Sequence, residues 1–155
     1  MDEPTLTFLV DLVQMLTVGA LGLFAGAMLT EAGLLVPFWR SLDSAAFHAW
    51  YRSNARRLIA FFGPLTWGAG VAALVSATVS LAIPHEGDRW AVAAATLMLM
   101  VVAMLPLFFK RANETFATGL SSANDTTRAL NRWAAWHWVR TGLSVLALIT
   151  SVLAL

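Results

Sequence analysis

Near the start of its last apolar segment the chain places Trp133, His137 and Arg140 at i, i+4 and i+7, on one face of a helix. An imidazole and a guanidinium at the mouth of a hydrocarbon-length segment are costly unless they have partners or a task. Three roles are open to His137: bonding a backbone carbonyl, acting as a general base near neutral pH, or ligating a metal or haem. Glu31, six residues before Pro37, is the carboxylate that could meet this face across a bundle. It would either form a structural ion pair with Arg140 or hold His137 in one tautomer and raise its basicity. Asn113 closes a third apolar segment, where its amide would bond a substrate carbonyl or tie two helices together. His48, His137 and Glu31 together would also suffice for a non-haem metal centre, although no short ligand spacing joins them. His85, in a polar turn, is expected to be solvated.

The elements that must position these groups are apolar. Of 155 residues, 59% are hydrophobic and only 12% charged, with a mean hydropathy of +0.71. Soluble domains carry about a quarter charged residues, so an integral membrane protein is expected. With no cysteine, disulfides, thiolate metal sites and thiol catalysis are excluded. No basic run with interleaved aromatics points to nucleic acid. Asp2 and Glu3 stand where a cleaved signal would be basic, so the first apolar run reads as a retained span.

Four spans are expected, over 8–36, 58–83, 90–109 and 133–155, in a single membrane domain covering 1–155. The fold class is therefore all-α, an integral membrane four-helix bundle. Pro37 should stop or kink the first helix. The amphipathic stretch from Pro37 to Arg57 reads as a short interfacial helix, capped by Asp43 or Ser41. Ser122 and Asp125 have capping-box spacing, and the helix they start could run unbroken into the fourth span. Gly22 and Gly26 have the small-xxx-small spacing of closely packed helices, and a homo-oligomer fits such glycine-lined faces. Gly63-Pro64 should bend the second span. Trp39, Trp90, Trp133 and Trp138 are expected in interfacial belts, whereas Trp67 and Trp136 could face inward. Met98, Met100 and Met104 read as core or lipid contacts.

Arg40, Arg52, Arg56 and Arg57 in the first loop, and Lys110, Arg111, Arg128 and Arg132 in the third, outweigh Arg89 in the second. By the positive-inside rule these two loops are cytoplasmic and both termini lie outside, with a bacterial inner membrane as the expected location. Glu31, His48, Asn113, Glu114, His137 and Arg140 then gather at the cytoplasmic end.

The ending Trp133-Ala134-Ala135-Trp136-His137-Trp138-Val139-Arg140-Thr141, followed by an apolar tail, resembles the last helix of the small four-helix membrane proteins grouped with anthrone oxygenases. There a Trp-x-x-Trp-Asn-His-Val-Arg-Thr-like segment closes the chain. Pro106 through Asn113, and the glycine-rich run from Gly19 to Pro37, are two further matches. The resemblance implies a membrane bundle that oxidises reduced polycyclic phenols such as anthrones to quinones with dioxygen, without an established cofactor. Most bacterial members have no assigned activity. It carries over Asn113, His137 and Arg140; the family's asparagine position is His137 here, and its histidine position is Trp138. Glu31 lies outside the pattern and rests on the cost of a buried charge.

The expected function is a membrane-embedded oxidoreductase or oxygenase acting on a small apolar, aromatic compound near the cytoplasmic face, with His137, Arg140, Glu31 and Asn113 as its site. The alternatives are a non-enzymatic membrane protein that binds a lipid or ligand or supports a partner complex, and a haem- or metal-binding membrane protein.

Overall fold

The computed structural model describes residues 3–83, 86–120 and 122–155; the expectation for His85 lies outside them. The described residues form four helices and no strand: α1 (Glu3–Ser41), α2 (Ser44–Ala82), α3 (Asp88–Thr118) and α4 (Ala123–Val152). The starts and stops follow from local chemistry. Asp43 accepts the backbone N–H of Ala46 at 2.8 Å and begins α2. Ser41 instead donates to the Phe38 carbonyl. Ser122 accepts the backbone N–H of Asp125 at 3.1 Å and donates to its carboxylate at 2.6 Å, and α4 then continues without a break. Gly119 ends α3 at φ +96°, a conformation that favours glycine.

The helices α1, α2 and α3 are long and apolar enough to cross a membrane. Large apolar side chains such as Phe8, Leu23, Leu34, Phe61, Leu81, Leu107 and Leu146 cover the outside of the bundle. On α4 the polar side chains His137, Arg140, Thr141 and Ser144 are all buried, turned toward the other helices. One half of the core joins Leu21, Phe24 and Met28 to Ala69, Ala73, Met98 and Ala147. The other half is aromatic and packs Trp39, Phe47, Tyr51, Phe109, Phe116 and Trp133 together. Gln14, fully buried on α1, donates to Ser80 at 2.9 Å and accepts from Ser76 at 2.7 Å, so α2 satisfies its amide.

Several expectations are corrected. The amphipathic stretch is not a separate interfacial helix: residues 37–41 are the last turn of α1, and those from Ser44 on are the opening turns of α2. No helix breaker intervenes before Gly63, and Phe47 and Tyr51 bury against Trp39 instead of lying on a membrane surface. Pro37 does not stop α1. A π-helical segment, Glu31–Leu35, precedes it, with the Val36 N–H reaching back to the Glu31 carbonyl. The wider turn accommodates a residue that has no N–H to offer. A second π segment, Leu105–Phe109, contains Pro106 near its start, with the Lys110 N–H reaching back to the Leu105 carbonyl, and α3 continues past the expected end at Phe109. An added Cβ at Gly22 would meet Leu148 Cδ1 at 3.9 Å and one at Gly26 would meet nothing within 4 Å; at Gly70 it would stand 3.2 Å from Val102 Cγ2. Trp39 and Trp133 belong to the core instead of an interfacial belt, whereas Trp67 and Trp136 are exposed. Among the methionines, Met98 is core and Met100 faces outward.

Candidate functional site

Arg140 reaches from α4 to the first residue of the α1 π segment. Its Nη2 donates to Glu31 Oε2 at 3.0 Å, and both side chains are at least nine-tenths buried. The same Nη2 donates to His137 Nδ1 at 2.9 Å. On the far side of the ring, His137 Nε2 lies 3.1 Å from the Met28 carbonyl oxygen. A carbonyl only accepts, so Nε2 carries the proton and Nδ1 offers its lone pair to the arginine. The 3.6 Å separation of Nδ1 and Glu31 Oε2 then places two acceptors about one shared guanidinium N–H group, and is not a direct bond. Trp133 stacks on the imidazole at 5.0 Å and 11°. The Arg140 guanidinium lies 4.2 Å from the centre of the Phe109 ring. Arg140 Nε is buried and has no hydrogen-bond partner among the described residues.

Asn113 Oδ1 accepts the indole N–H of Trp133 at 2.9 Å, tying α3 to α4. What Asn113 can still offer a ligand is its amide N–H. The two π segments thus bracket the site. One begins with Glu31; the other supplies Phe109 beneath Arg140 and puts Leu105 and Pro106 on the wall described next.

A cavity of about 410 Å³ lies against this cluster. Its inner wall includes Glu31, Tyr51, Thr66, Trp133 and Arg140, all buried; Asn113 adds an amide at its side. Its mouth, between α2 and α3, is rimmed by the exposed residues Ile59, Trp67, Pro106 and Lys110. The opening therefore faces sideways, toward the apolar exterior of the bundle. A mostly apolar recess with a few converging polar groups is the usual form of a small-molecule site.

Of the residues singled out in the sequence, Glu31, Arg140 and Asn113 line this cavity and His137 does not. His137 is fully buried, with Nε2 engaged by the Met28 carbonyl and Nδ1 by Arg140. His48 does not join them. Its Nδ1 lies 2.9 Å from the Phe116 carbonyl and its Nε2 3.0 Å from Thr126 Oγ1, a link among α2, α3 and α4. The combination of His48, His137 and Glu31 as metal ligands is thereby overturned. Among the described residues no group of three or more histidine and acidic side chains is disposed to hold a metal ion. Tyr51 and Lys110 were missed as cavity residues. The recurrence of Phe47, Tyr51 and Leu58 at helical spacing was the available signal for Tyr51, since it marks one inward face running into α2.

Comparisons with protein-family models, with curated proteins and with solved structures find no match. The geometry of the site therefore carries the functional reading.

Proposed function

We propose that this chain is a membrane-embedded, oxygenase-like oxidoreductase that takes a small apolar ring compound from the bilayer into the lateral cavity between α2 and α3. The observation that carries the proposal is the cavity itself: its walls are apolar and aromatic, its mouth faces the exterior of the bundle, and a buried carboxylate and guanidinium stand at its inner end. In this reading α4 completes a four-span bundle and the polar end faces the cytoplasm.

The chemistry that suits these groups is the oxidation of an acidic ring methylene to a carbonyl. Glu31 takes the proton from the substrate's methylene or from the O–H of its enol tautomer. The enolate oxygen is held by free N–H donors of Arg140 and by the Asn113 amide, in a site that excludes bulk water. Dioxygen oxidises the enolate; one oxygen atom becomes the new carbonyl and the other leaves as water. His137 keeps Arg140 aimed, held in turn by the Met28 carbonyl and by Trp133. The residues do not fit a metal or haem at this site, because His137 has no free nitrogen and does not line the cavity.

A second reading, ligand binding without chemistry, is favoured by one observation: His137, beside Arg140, has both ring nitrogens committed to hydrogen bonds. A matched pair of probes tests the binding step common to both. Anthrone and the oxygen-free hydrocarbon anthracene, titrated against the tryptophan fluorescence of the protein in nanodiscs, should differ at least tenfold in affinity in favour of anthrone. Equal affinities would remove Arg140 and Asn113 from recognition.

A further inference from the structure

We infer that the groove between α3 and α4 at the basic end of the bundle is a binding site for an anionic phospholipid. It is distinct from the lateral cavity, which opens between α2 and α3. The groove has a volume of about 460 Å³ and is lined by Leu107, Phe108, Thr115, Phe116 and two arginines, Arg111 and Arg132. Both arginines are exposed, no acidic side chain lines the groove, and neither has an acidic partner among the described residues. The contrast with Arg128 is direct: that arginine, four residues before Arg132 on α4, is paired with Asp125 at 2.6 Å.

The occupant follows from how polarity is layered along the groove. Arg132 lies over the Phe108 ring, 5.5 Å from its centre, and Phe108 in turn packs on the half-exposed Trp136 at 5.7 Å. Next to Phe108, Leu107 lines the same groove and is 81% exposed. Arg111 and Arg132 each stand one helical turn from Leu107 and Trp136, so two cations adjoin one aromatic and aliphatic surface, the juxtaposition that a lipid phosphate and its acyl chain require. Arginines suit this task because their planar forks bind phosphate oxygens bidentately. From Leu107 to Arg111 the groove wall rises about 6 Å, which sets a phosphate one helical turn from the first methylenes of its chain. A free phosphate would use the arginines and leave the apolar floor uncovered; a phosphatidylcholine would use the floor and bring a second cation to the arginines.

The test uses the intact chain in detergent, titrated with dioctanoyl phosphatidylglycerol, dioctanoyl phosphatidylcholine or inorganic phosphate, with thermal unfolding as the readout. Phosphatidylglycerol should bind roughly tenfold or more tightly than phosphatidylcholine, and inorganic phosphate should leave the midpoint unchanged. The preference should vanish in Arg111→Gln/Arg132→Gln and survive in Arg52→Gln/Arg56→Gln, which removes two exposed arginines of α2 outside the groove. Both pairs lie on the surface, so folding is retained. Equal affinity for the two lipids would overturn the site. So would a preference that persists in the groove variant, or one lost equally in both variants, which would reduce it to general basic charge. An equal shift from inorganic phosphate would assign the arginines to a free anion.

Discussion

Arg140 Nη2 stands 3.0 Å from Glu31 Oε2 and 2.9 Å from His137 Nδ1, so one guanidinium nitrogen joins the π segment of α1 to the imidazole of α4. Its partners are buried, and each loses its compensation if the arginine is removed. Arg140→Met should therefore destabilise the protein by about 3–5 kcal/mol, the usual cost of stranding one member of a buried pair. The double variant Glu31→Gln/Arg140→Met should recover part of that loss. Reversible unfolding in mixed micelles measures the cycle; additive effects would mean that the two groups do not interact in the folded protein.

His137→Ala should lower stability and turnover together. Removing the ring breaks the bond to the Met28 carbonyl and the acceptor for Arg140, at a cost of roughly 1–3 kcal/mol, and leaves a void beneath Trp133. Thermal unfolding run beside an activity assay separates the alternatives. Abolished turnover with undiminished stability would restore His137 to the role of base.

Gly63 lines the cavity, and an added Cβ there meets nothing within 4 Å. Gly63→Leu should therefore project into the recess without disturbing the helices. A helical glycine is also disfavoured by up to about 1 kcal/mol relative to alanine, so stability should hold or rise. Ligand affinity should fall at least tenfold. Unchanged affinity, measured by tryptophan quenching, would place the ligand elsewhere.

At the start of α4, the Ser122 hydroxyl bonded to the Asp125 carboxylate, followed by Arg128, holds that carboxyl below its usual range. A carboxyl whose pKa is lowered on folding adds stability that is complete above its unfolded value, near 4. That stability is lost as the pH falls through the lowered folded value. Asp125→Asn should therefore unfold at the same midpoint as the parent at strongly acidic pH and at a lower one near neutrality. A constant difference across that range would show that the carboxylate's charge is not what caps the helix.

Much of this architecture is written in local signals. Hydrophobic length marks α1, α2 and α3, and Ser122 with Asp125 marks the start of α4, because span length and capping depend on nearby residues alone. The pairing of Glu31 with Arg140 was also legible, since two charges in apolar segments at the same end of a bundle have few other partners. The continuation of α1 past Pro37 was not, because the rule that proline breaks a helix assumes ordinary α-helical bonding, and a wider π turn before the proline leaves no sequence pattern of its own. The role of His137 depended on which nitrogen met the Met28 carbonyl, 109 residues away in sequence, and no spacing encodes that contact. Trp39 and Trp133 share the composition of belt residues, yet Trp133 is drawn inward by Asn113 and by the imidazole on which it stacks. Tyr51 was hidden inside a stretch whose amphipathic pattern fits a surface helix as well as the first turns of a spanning one.

The central claim is tested most directly by quinone formation. Purified protein in nanodiscs is supplied with anthrone and dioxygen, and the absorbance of the quinone is followed beside dioxygen uptake for the parent chain, Glu31→Gln and Gly63→Leu. We expect the parent to form one quinone per dioxygen consumed, well above the rate in empty nanodiscs. Both variants should fall to that background while remaining folded. A parent rate no higher than that of empty nanodiscs, or full activity in Glu31→Gln, would contradict a catalytic site built on the Glu31–Arg140 pair.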